Sequence, residues 1–112
     1  MKFPIVVNPT ARFPVHVTRR MVELLRIMRD RTDAKAGDGD AELVYDYARE
    51  KKLAYLGLEP VAPRTVFGML RACAITSNSD NKAEGPQYYR ITETGRQILK
   101  DIEAKAKPRV EN

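Results

Sequence analysis

The sequence predicts a mainly helical α+β domain: a three-helix core, a β-hairpin after the third helix, and a C-terminal helix behind the hairpin. Three observations carry that expectation. Apolar residues recur at helical spacing in separate stretches, and Gly57, Pro60 and Pro63 punctuate the middle of the chain. The run Tyr88, Tyr89, Arg90, Ile91 then hands over at Thr92 to Ile98, Leu99 and Ile102. Aromatic and β-branched residues suit a pleated, half-buried strand, whereas the later apolar residues return every three or four positions, as on a helix.

Taken in order, residues 1 to 17 form an extended arm. It contains "FPIVV" at 3 to 7 and "FPVHV" at 13 to 17, and its prolines exclude a helix. Two readings are open for it, either extended pieces covering the domain's own core or an arm that binds a partner. Thr18 is placed to cap a first helix whose stripe is Met21, Leu24, Leu25 and Met28, with Arg19, Arg20, Arg26 and Arg29 on a solvated cationic face. The polar "TDAKAGDGDAE" reads as a loop, and Asp40 as the cap of a second helix through Leu43, Val44, Tyr47 and Ala48. Its acids are not a calcium loop: counted from Asp38, the required glycine and glutamate positions hold Leu43 and Arg49.

Gly57 is expected to end that helix, and Pro63 suits the first turn of a third, with Val66, Met69, Leu70 and Cys73 on its apolar face. Thr92 is expected to cap the last helix, with Glu93 near its positive end. The folded domain should span residues 18 to 104, leaving 105 to 112 as a polar tail.

A formal charge of +5 and a pI near 9.5 favour an acidic partner. The charge is uneven: residues 1 to 32 carry seven basic and two acidic side chains, residues 33 to 62 four basic and seven acidic. No acid lies between Pro60 and Ser79. A helix there, with Arg64 and Arg71 off its apolar face, is one that a phosphate-lined groove accepts.

This order of elements resembles the winged helix family, the helix-turn-helix variant in which a β-hairpin follows the recognition helix. "LAYLGL" with "PRTVFGML" is similar to that family's second and third helices, and "YYRITETGRQIL" resembles its wing strand running into the closing helix. The resemblance covers residues 18 to 104. It implies wing strands at Ile75 to Ser77 and Gln87 to Ile91, with "NSDNKAEGP" as the wing tip. It also implies a double-stranded DNA-binding protein, a regulator of transcription, that inserts helix 63 to 73 into a major groove. Arg64, Thr65, Gly68 and Arg71 would meet DNA from the helix, and Lys82 and Arg90 from the wing. A second reading makes the winged helix a protein-interaction module acting on transcription or replication machinery, with Asp46 and Glu50 of an acidic second helix on the docking face. A homodimer is expected, because two copies on one duplex read a two-fold site that a single small domain contacts too sparsely. Phe3, Ile5 and Val7 of the arm would decide it.

Catalysis finds little support. His16 lies between two valines with no serine, cysteine or acid at a catalytic spacing, and "GDG" lacks the lysine of a nucleotide loop. No cofactor or metal is expected, and the chain is read as a binding protein rather than an enzyme. Its single cysteine, Cys73, has no partner for an internal disulfide, which points to a reducing compartment. The N-terminus lacks the unbroken apolar core of a signal peptide, and no run reaches membrane-spanning length. The expected location is therefore intracellular.

Overall fold

The computed structural model describes residues 5–7, 14–34, 42–46, 53–78 and 85–106. Two short strands, β1 (Ile5–Val7) and β2 (Val15–Val17), pair antiparallel as a sheet of their own. Val15 and Val17 are buried while His16 between them is exposed, and Ile5 and Val7 pack against the same core. Of the two readings of the arm, its described part takes the first and covers its own domain; Phe3 lies outside the described residues.

Helix α1 (Arg19–Asp33) begins where Thr18 predicts. The Thr18 hydroxyl accepts from the Met21 N–H at 3.3 Å, and the Thr18 N–H points back to the Met21 sulfur at 3.4 Å. These contacts satisfy backbone donors that the first turn leaves open. Met21, Leu24, Leu25 and Met28 are buried, as their spacing requires.

The middle of the chain differs from expectation. Residues 43 to 46 are a strand, β3 (Leu43–Asp46), and no second helix forms there; Tyr47 and Ala48 lie outside the described residues. "LAYLGLEPV", expected to continue that helix into a turn, is instead a hairpin: β4 (Leu53–Leu56), a two-residue loop at Gly57 and Leu58, and β5 (Glu59–Val61). Gly57 works as the hairpin turn, with φ of 61°, a conformation glycine adopts without steric cost. Pro60 sits on an edge strand, where a missing N–H does no harm.

Helix α2 (Pro63–Arg71) opens on its proline, and Ala62 before it makes no side-chain cap. β6 (Ile75–Ser77) and β7 (Gln87–Ile91) have the bounds expected of them, but they are not an isolated wing. β7 pairs with β3 as well as β6, so both complete one five-stranded antiparallel sheet in the order β5-β4-β3-β7-β6. That sheet overturns the winged helix-turn-helix and its three-helix core. Among the described residues three strands separate α1 from α2, and the element directly before α2 is the strand β5, not the helix that a helix-turn-helix needs.

Helix α3 (Glu93–Ala106) closes the fold. Thr92 caps it by accepting from the Gly95 N–H at 3.0 Å, and the same hydroxyl donates to the Cys73 carbonyl at 2.6 Å. Leu43, Tyr45, Leu56, Val61 and Ile75 from the sheet share one core with the buried stripes of the three helices, among them Val66, Met69, Ile98, Leu99 and Ile102. The arrangement has two layers, with helices on one face of the sheet.

Candidate nucleic-acid interface

Helix α2 presents the site. Its buried side is Val66 and Met69, which leaves Arg64, Phe67 and Arg71 exposed. Spacings of three and four residues put those three on one stripe. Phe67 is 48% exposed although large and apolar, and its ring rests on Tyr45 with centroids 5.6 Å apart and planes tilted by 45°. A buried tyrosine from the central strand thus props an aromatic ring outward between two arginines.

The electrostatics separate these arginines from those of α1. Arg29 donates two hydrogen bonds to Glu103, at 2.7 and 3.1 Å, and Arg26 approaches the same carboxylate at 3.3 Å. Arg29's charged form is stabilised by that carboxylate, and the Arg29 hydrogen bonds hold Glu103 below the usual carboxylate range. Arg96 likewise donates to Asp33 at 2.9 Å and lowers it, while Arg20 reaches Glu59 at 3.3 Å and the Pro60 carbonyl at 3.0 Å. The expected cationic face of α1 is therefore largely spent on clasping α3 and β5. Arg64, Arg71 and Arg90 form no ion pair with any described acid.

The sequence-predicted site residues are only partly brought together. Arg64 and Arg71 share the exposed stripe, and Thr65 is half-buried at its flank. Gly68 faces inward: a Cβ there would meet the Met21 sulfur at 3.3 Å, so this position packs α2 onto α1. Arg90 leaves the sheet on the face away from the helices, because its strand neighbours Tyr89 and Ile91 pack into the core. Lys82 lies outside the described residues. Phe67 was not among the expected site residues, although the sequence marks it: it falls off the Val66, Met69 and Leu70 face and lies between Arg64 and Arg71. The acidic docking helix is also absent, since Asp46 is buried on β3; Glu50 lies outside the described residues.

Among the described residues, no three His, Cys, Asp or Glu side chains come together as a metal site needs, and no helix is long and apolar enough to cross a membrane. Comparison of the chain with protein-family models, curated proteins and solved structures finds no match.

Proposed function

We propose that this chain is a double-stranded DNA-binding protein that meets the duplex with α2. The observation that carries the proposal is the exposed Arg64, Phe67, Arg71 stripe on a helix without acids, whose two arginines remain unneutralised by any described acid while those of α1 are held by carboxylates. Guanidinium groups bind phosphate oxygens or the O6 and N7 edge of guanine, and an aromatic ring between them can lie on sugar or on a thymine methyl. Regulation of transcription was implied by the family likeness; with that fold set aside, duplex binding stands on α2 instead. A homodimer on a two-fold site belongs to the same proposal, supported by the small number of contacts that a nine-residue helix can make. Ile5 and Val7, the described deciding residues of the arm, pack on their own core and lend the dimer no support. The setting is intracellular, where Cys73 stays reduced.

A salt titration on a random duplex tests the proposal. The slope of log affinity against log salt should flatten by about 0.9 for each phosphate that the Arg64→Ala, Arg71→Ala double variant no longer neutralises. Unchanged affinity and slope in that variant would falsify the role of α2.

A further inference from the structure

We infer, resting on the proposal that α2 binds a duplex, that Phe67 reads the C5 methyl group of a pyrimidine in the major groove, so that the preferred duplex carries thymine opposite the middle of that helix. An exposed phenylalanine by itself is ordinary on a protein surface. The surroundings of Phe67 set it apart. It follows Arg64 by three residues and precedes Arg71 by four, so its ring stands between two guanidinium groups on one exposed stripe. The ring of Tyr45 lies 5.6 Å away, centroid to centroid, with the planes tilted by 45°. Tyr45 is 5% exposed and sits on β3, a strand paired on both sides. Phe67 cannot fold down onto the sheet there without displacing a buried side chain, and its ring is held outward.

Groove dimensions and base chemistry select the ligand. An α-helix about 10 Å across fits the major groove, about 12 Å wide, and not the minor groove, about 6 Å wide. Wedging an apolar side chain between base steps is a minor-groove device, so Phe67 on an entering helix meets base edges instead. Arg64 and Arg71 stand about 10 Å apart along the helix axis, or about three base-pair steps, which leaves Phe67 over the bases between them. The donors and acceptors that bases present in the major groove suit the arginines, and the apolar group presented there is the C5 methyl of thymine. 5-Methylcytosine carries the same methyl in the same place. A phenyl ring laid over guanine, adenine or unmodified cytosine would strip water from donors and acceptors and return no hydrogen bond.

The test alters the DNA before the protein. The full chain is titrated, by fluorescence anisotropy, with a labelled alternating adenine-thymine duplex and with the same duplex carrying deoxyuridine for thymidine, which removes only the methyl. The thymine duplex should bind about fourfold tighter, the equivalent of burying one methyl group at about 0.8 kcal/mol. A guanine-cytosine duplex with and without 5-methylcytosine forms the second pair; a preference in either pair supports the inference and identifies the source of the methyl. Phe67→Ser, checked for folding by circular dichroism, should bind the thymine and deoxyuridine duplexes equally and keep the parent's salt slope, because both arginines remain. A parent chain that binds duplex but distinguishes neither methylated duplex from its counterpart would overturn the reading of Phe67 and leave binding by α2 intact, the outcome for a ring that lies on sugar. A folded Phe67→Ser variant that keeps the parent's preference would overturn it equally. A parent chain that binds no duplex at low salt would overturn the α2 proposal, and the role of Phe67 with it.

Discussion

Replacing Gly95 by alanine should destabilise this protein, although the same replacement inside a helix ordinarily helps. Gly95 occupies the first turn of α3, where alanine is favoured over glycine by about 1 kcal/mol on propensity. Here the added Cβ would press on the Ala74 carbonyl oxygen and lie 2.9 Å from Cγ1 of Ile91. The carbonyl is backbone, and it already accepts the Thr92 N–H at 2.9 Å, so it cannot swing aside cheaply. Relieving the overlap means parting α3 from the turn after α2, a shift of the kind that costs about 1–3 kcal/mol in overpacked sites, with about 1 kcal/mol more if the Thr92 bond opens. With the Thr92 bond opened and the propensity gain set against it, the net loss is about 1–3 kcal/mol, or roughly 5–12 °C in Tm for a domain of this size. Gly68→Ala supplies the control. Its Cβ would meet only the sulfur and methyl of Met21, at 3.3 and 3.4 Å, the far end of a flexible side chain that can give way. That variant should be neutral or gain up to about 1 kcal/mol. Urea unfolding followed by circular dichroism measures both; a Gly95→Ala protein as stable as its parent would refute the close packing of α3 on the α2–β6 turn.

Other consequences can be checked as directly. Helix α2 stops at Arg71 rather than reaching 73 as expected, because Cys73 takes φ of 58°, its N–H bonded to the Leu70 carbonyl and that of Ala74 to Met69, the pattern that normally takes glycine. The left-handed backbone costs an ordinary residue about 1–2 kcal/mol and glycine's unfolded-state entropy returns part of that, so Cys73→Gly should raise stability by about 0.5 kcal/mol, measured by urea titration. Glu103→Gln should cost about 0.5–1 kcal/mol at neutral pH, discounted for the partial exposure of the clasp. Because the folded carboxyl titrates below its unfolded value, this contribution is present above the ordinary glutamate range near 4.3 and is lost as pH falls through the folded pKa; unfolding curves of variant and parent should converge in acid. Sedimentation at micromolar concentration should show a two-chain species, more populated with a duplex bearing a two-fold site, and a strictly monomeric mass under both conditions would remove the dimer from the proposal.

The residues that sequence reasoning placed well act through neighbours a few positions away. Thr18 and Thr92 cap the helices they precede, Pro63 opens α2, and β6 and β7 fall where the aromatic and β-branched residues lie. Half of the candidate site follows from the same local logic, since Arg64 and Arg71 are exposed because helical spacing puts them opposite Val66 and Met69. The main departure of secondary structure from expectation, among the described residues, lies in 43–61. There "LVY" and "LAYL" are short apolar runs that fit a buried helix turn and a buried strand equally well, and periodicity cannot separate the two. Asp40 and Gly57 resemble helix punctuation, yet Gly57 serves a hairpin.

By itself, then, the sequence determined the three observed helices, where they start and most of the stripes they bury, Cys73 excepted because it lies past the end of α2, and the acid-free character of α2, because each of these is a relation among residues within a turn or two. Only the tertiary structure decided that 43–46 is a strand: its hydrogen-bond partners are Leu53–Leu56 on one side and Gln87–Tyr89 on the other, and a strand cannot close its backbone bonds within itself as a helix does. It also decided which cations remain available. Arg26 and Arg29 look as open as Arg64 and Arg71 until α3 carries Glu103 against α1, and a Coulomb interaction that depends on distance in space leaves no mark in the order of residues along the chain.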